Sequence, residues 1–102
     1  MSAYGDSGVE NLLKGRWRET GASADDFLID ISFSGSRFTA KVYMLGSEMT
    51  SFGRSGSLEI TEERITLKND DGSVFSYFTY TIKDDEIALV DYEKAVWEKY
   101  EN

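Results

Sequence analysis

The sequence predicts an all-β domain that closes on itself as a small up-and-down antiparallel β-barrel of about eight strands. Three observations predict it. Apolar and polar residues alternate with period two from Gly15 to Tyr100, the pattern of half-buried strands. Short polar turns punctuate that alternation. No proline and no long helical stripe interrupts it. Consecutive short connections make neighbours in sequence neighbours in space. An open meander of this size would expose two edges, and closure removes both. A two-sheet sandwich is the alternative, but its crossings usually need longer connections.

Met1 to Gly8 is small and polar and reads as a disordered tail, leaving residues 9–102 as the barrel domain. Val9 to Lys14 can form one helical turn, with Val9, Leu12 and Leu13 on one side. Arg16 to Glu19 begins the alternation. Phe27, Ile29, Ile31 and Phe33 then alternate with Leu28, Asp30 and Ser32, and Ser34-Gly35-Ser36 supplies a turn. Phe38, Ala40, Val42 and Met44 follow. A longer connection, Gly46 to Ser51, leads to Phe52 and to a strand ending at Leu58 and Ile60. After Glu62-Glu63 come Ile65 and Leu67. Asn69-Asp70-Asp71-Gly72 is the strongest hairpin signal, because Asp-Gly tolerates positive φ. Val74 to Ile82 is rich in aromatic and β-branched residues. Lys83 to Glu86 turns the chain into Ile87, Leu89 and Asp91, and a last strand runs from Ala95 to Tyr100.

Composition narrows the chemistry. A chain of 102 residues hides roughly 60–68% of its unfolded surface, enough for one core without staples. Cysteine is absent, which excludes disulfides, zinc–thiolate sites and thiol nucleophiles. Histidine is absent too, and with it the commonest metal ligand and the commonest base near neutral pH. The net charge of -8 repels phosphate backbones and anionic lipid surfaces, so nucleic acid is not an expected partner. No apolar run approaches the ~20 residues of a membrane span. The first residues lack the regions of a signal peptide, so the chain is read as cytoplasmic or as a mature form with its leader removed.

Gly15-Arg16-Trp17 resembles the Gly-x-Trp at the first strand of lipocalin-like (calycin-type) barrels, preceded as there by a short helical turn. Trp97-Glu98-Lys99 is similar to the last strand of that superfamily, where a basic residue packs over the tryptophan. The pattern resembles that of small bacterial lipocalin-like domains from about Val9 to Tyr100. The resemblance implies that Trp17 plugs one end of the barrel and that Lys99, or Arg16 or Arg18, covers its ring. The chain departs from full lipocalins in being much shorter and free of cysteine.

No catalytic or cofactor motif stands up. Asp6-Ser7-Gly8 matches fragments of protease signatures, but no histidine can take the serine proton and no second such carboxylate exists. The acidic turns Asp25-Asp26, Asn69-Asp70-Asp71 and Asp84-Asp85-Glu86 lack the twelve-residue calcium-loop spacing and read as solvated turns. Arg54 shares strand parity with Phe52, Gly56, Leu58 and Ile60. Pointing inward, it could hold the carboxylate of an organic acid; a bulge at Gly53 or Gly56 would return it to solvent. Phe27, Phe33, Phe38, Phe52, Phe78 and Tyr80 form the expected inward aromatic set, which could line a cavity or fill it. Tyr43, Phe75, Tyr77 and Val90 are expected on the outer face.

Two functional classes follow, neither an enzyme and neither needing a cofactor. One is a binding module holding a small apolar or amphipathic carboxylate among Phe33, Phe38, Phe52, Arg54, Phe78 and Tyr80. The other is an acidic protein-interaction module (an inhibitor, immunity or assembly protein) acting through its outer surface around a filled core.

Overall fold

A computed structural model describes residues 5–21 and 27–101. A helix, α1 (Gly5–Leu13), is followed by the strands β1 (Gly15–Glu19), β2 (Phe27–Ser34) and β3 (Arg37–Met44). After the two-residue β4 (Ser47–Glu48) and a 3₁₀ turn (Thr50–Phe52) come β5 (Arg54–Ile60), β6 (Arg64–Asn69) and β7 (Val74–Lys83). The last two are β8 (Glu86–Asp91) and β9 (Val96–Glu101). Apart from β4, which only extends β3, each strand pairs antiparallel with two neighbours; β1 joins β9 and β2 joins β3, so eight strands close a barrel.

The turns carry the chemistry that closure needs. Gly35, at φ 57°, makes the two-residue turn between Ser34 and Arg37. Asp84 and Asp85 hold φ of 54° and 62° between Lys83 and Glu86, a left-handed pair that aspartate tolerates and that matches strand twist. In the Asn69 turn, the Asp71 carboxylate accepts bonds from the Ser73 amide at 2.9 Å and the Ser73 hydroxyl.

One end of the barrel is closed by α1, which begins at Gly5, inside the segment the sequence reads as a tail. Val9 and Leu13, one helical turn apart, are fully buried in the core. Gly15, the first residue of β1, turns the chain after the helix at φ 131°, a conformation in which a side chain would be strained. Trp17 then enters the core and donates its indole N–H to the Leu13 carbonyl at 2.8 Å.

The interior is filled by rings. Phe33 meets Phe78 edge-on at 6.5 Å, and Phe78 meets Trp97 edge-on at 5.2 Å. Such contacts add about 0.5–1.5 kcal/mol each beyond burial. Ile31, Ile65, Leu67 and Leu89 fill the remaining space.

The outer wall differs from simple alternation in three places. Phe75, expected outside, turns inward because a bulge opposite Leu67 and Lys68 shifts the β7 register; its ring stacks on Phe38 at 5.7 Å. Leu28 and Asp30 keep their outward register but are buried. Over Asp30 lie Arg16, Arg18 and Tyr100, whose hydroxyl bonds the Asp30 carboxylate.

Candidate functional site

Strand parity alone does not decide which inward residues are available to a ligand. Phe33, Phe38 and Phe78 are almost wholly buried among other core side chains, and Tyr80 ties its hydroxyl to the Thr61 carbonyl at 2.6 Å. These four are brought together in the interior as packing. Phe52, expected inside, is exposed because it belongs to the 3₁₀ turn and the strand begins only at Arg54.

Arg54 is also in solvent, though not through a bulge. The register runs unbroken, with Phe38 opposite Gly56 and Ala40 opposite Arg54. Arg54 therefore has the parity of the buried Ala40, yet its guanidinium bonds the Gly53 carbonyl at 2.8 Å on the exposed side. A long side chain at the first residue of a strand can reach water, and burying an unpaired guanidinium is prohibitive.

At the closed end, Lys99 is the basic residue that lies over Trp17, with its ammonium 5.6 Å from the ring centroid. It also donates to the Leu12 carbonyl at 2.8 Å. Burial lowers its pKa. Arg16 and Arg18 serve the outer wall instead, where they flank Tyr100 and Asp30. An open hollow of about 480 Å³ lies beside Lys99, with Leu12, Trp17, Ile87 and Trp97 in its lining. Asp85, Glu86 and Glu98 also line it, so it does not favour an anion.

Among the described residues the opposite end is open. There a bowl of about 370 Å³ descends into the barrel between the starts of β2 and β7 and the β8–β9 turn. Ile29, Ile31, Phe78 and Trp97 form its floor and sides, continuous with the core. Phe75 joins them through the bulge, and Ser76 presents the small inward side chain. Phe27 and Tyr92 stand at the rim, largely exposed.

Among the described residues, the bowl's charged lining residues are Glu19, Asp91 and Glu93. Asp91 organises one wall. Its Oδ1 accepts the amides of Glu93 and Ala95 at 2.9 and 3.0 Å, and its Oδ2 accepts the Trp97 indole N–H at 2.9 Å. The Tyr92 hydroxyl has its pKa raised, first by a hydrogen bond to Glu93 and then by the charges of Glu93 and Asp91. Among the described residues, no lysine or arginine lines this bowl.

Sequence reasoning missed Phe75, Ser76, Tyr92 and the acidic rim. The bulge that turns Phe75 inward has no sequence marker such as a glycine. The Asp91 turn did carry a signal, since an aspartate ahead of a short polar run often accepts backbone amides two residues on. The other acidic turns serve as local scaffolds: Asp70 pairs with Arg37 at 3.0 Å, and its pKa is lowered by that hydrogen-bonded partner. Asp25 and Asp26 lie outside the described residues. Among those described, no helix is long and apolar enough to cross a membrane. Comparison with protein-family models, with curated proteins and with solved structures gives no match.

Proposed function

We propose that the chain is a non-enzymatic binding module of the lipocalin-like, calycin type, holding a small apolar or amphipathic molecule in the open mouth of its barrel. The observation that carries this reading is the bowl itself. About 370 Å³ is within the range of small-molecule pockets, and its floor is apolar with a few polar groups at the rim. The resemblance at Gly15-Arg16-Trp17 and the cover of Lys99 over Trp17 support the family reading, since both serve the closed end and leave the other free. The ligand occupies the mouth and not the depth, because Phe33, Phe38 and Phe78 already fill the depth.

The test is a titration with butylbenzene followed by nuclear magnetic resonance. Trp97 lines both the bowl and the hollow, whereas Trp17 lines only the hollow, so a Trp97 signal that moves while Trp17 stays still places binding in the bowl. Binding is expected to shift the Trp97 signal and leave the Trp17 signal still. Ser76→Phe fills the bowl and should abolish the shift without unfolding the protein. A Trp97 signal unmoved up to the solubility limit overturns the reading.

The protein-interaction module is favoured by one separate observation. Large apolar side chains that stand in solvent gather around the mouth, among them Phe27, Met44, Leu45, Tyr92 and Val96. Under that reading Leu45→Asp abolishes partner binding, whereas small-molecule binding in the bowl is untouched.

A further inference from the structure

Resting on the reading of the mouth as a binding bowl, we infer that its occupant is a small organic cation, an aryl- or alkylammonium whose apolar part enters the floor and whose positive head stays at the rim. The charge pattern selects the sign. Glu19, Asp91 and Glu93 line the mouth, and among the described residues no basic side chain balances them there. A carboxylate would meet like charges in this lining, in a protein that already carries -8.

The rings select the kind of cation. Phe27, Phe75, Tyr92 and Trp97 present aromatic surface to the same space as those carboxylates. Ring faces attract ammonium groups within about 6 Å, most strongly where water is partly excluded. A weakly hydrated ammonium bearing apolar substituents therefore gains from both features, whereas a small metal cation needs oxygen ligands that Asp91 cannot spare. Both Asp91 oxygens are occupied by three N–H donors, so it supplies charge and leaves the rim contacts to Glu19 and Glu93. The raised pKa of the Tyr92 hydroxyl reports the same negative field.

Calorimetry on the full chain with three probes tests this: benzyltrimethylammonium, its neutral isostere neopentylbenzene, and 3-phenylpropanoate. The cation is expected to bind roughly tenfold tighter than the isostere, the gain a partly desolvated ring–cation contact provides. The carboxylate is expected not to bind. Combined Glu19→Gln and Glu93→Gln, both at exposed positions, should weaken the cation several-fold toward the isostere, the ring contacts keeping part of the gain, while leaving the isostere's affinity unchanged. The Trp97 indole signal should move with the cation and the Trp17 signal should not. Equal binding of cation and isostere, or tighter binding of the carboxylate, overturns the inference and leaves the bowl standing. A shift at Trp17, with or without one at Trp97, overturns the site. Silence from all three probes overturns the inference and the bowl reading together.

Discussion

Lys99 holds its ammonium 5.6 Å from the Trp17 ring centroid while donating to the Leu12 carbonyl at 2.8 Å. One side chain on the last strand thus fastens the first strand and the end of the helix. The closed end rests on burial more than on this cation. Trp17→Ala is expected to cost about 3–5 kcal/mol, because it empties a buried indole site and frees the Leu13 carbonyl. Lys99→Met should cost under ~1 kcal/mol: the lost hydrogen bond is offset by relief of a desolvated ammonium. Denaturant melts of both variants check the order. A Lys99 change as severe as the Trp17 change would mean that the cation, and not the ring, holds the cap.

Gly56 lies opposite Phe38 where β5 crosses the β6 backbone. A Cβ there would run into the Lys68 carbonyl oxygen, and would stand 2.7 Å from the Lys68 carbonyl carbon and 2.9 Å from the Asn69 Cα. These are backbone atoms of a paired strand and cannot swing away. Gly56→Ala is therefore expected to cost about 3 kcal/mol or more, at or beyond the upper end of overpacking effects. Gly53 is the control: its φ is -64° and an added Cβ meets only ordinary contacts at 3.4 Å. Gly53→Ala should be neutral or stabilising by up to ~1 kcal/mol through the unfolded chain. Chemical melts giving equal losses for the two would show that β5 and β6 are not this close.

Tyr100 links stability to alkaline pH. Burial, and after it the hydrogen bond to Asp30, raises its pKa, while Arg18 and Arg16 pull it down. The folded state then holds the phenol proton more tightly than the unfolded state. The resulting stability is fully present below the ordinary tyrosine value of about 10, and is lost as pH rises through the higher folded value. Lys99 contributes with the opposite sign, because its pKa is lowered and the unfolded chain binds its proton more tightly. Tyr100→Phe should accordingly lose less stability than the native chain between about pH 9 and 12. Urea melts across that range compare the slopes. Parallel curves would mean that the hydroxyl is not held by Asp30.

The barrel was legible because period-two alternation and Asp-Gly or Ser-Gly turns are local signals, and each short turn forces its two strands together. What escaped depends on where each strand starts and shifts. Arg54 has inward parity, but as the first residue of β5 it reaches solvent. Phe75 has outward parity, but a one-residue bulge turns it onto Phe38. Asp30 has outward parity and is nonetheless buried. Its burial follows from Arg16, Arg18 and Tyr100, which come from β1 and β9 and are adjacent to it only once the barrel is closed. The bowl is hidden for the same reason, since its walls come from strand ends far apart in sequence.

The β8–β9 turn joins the fold to the site through one carboxylate. Asp91 accepts the Glu93 and Ala95 amides and the Trp97 indole N–H, while Lys94 completes the turn at a left-handed φ of 71°. Bonds to a charged acceptor contribute about 1.5–3 kcal/mol where they are sheltered, and less in a turn that is half in water. Asp91→Ala removes all three and is expected to cost about 2–3 kcal/mol in total. Asp91→Asn keeps an oxygen for the two amides but can set an N–H against the indole N–H, so about 1 kcal/mol is expected. Because Tyr92 and Glu93 ride on this turn, benzyltrimethylammonium binding should weaken in the same order, alanine more than asparagine. Denaturant melts report the first effect and calorimetry the second. If Asp91→Ala melts within ~0.5 kcal/mol of the native chain, as a plain surface change would, the carboxylate does not build this wall and the rim must be held by the strands alone.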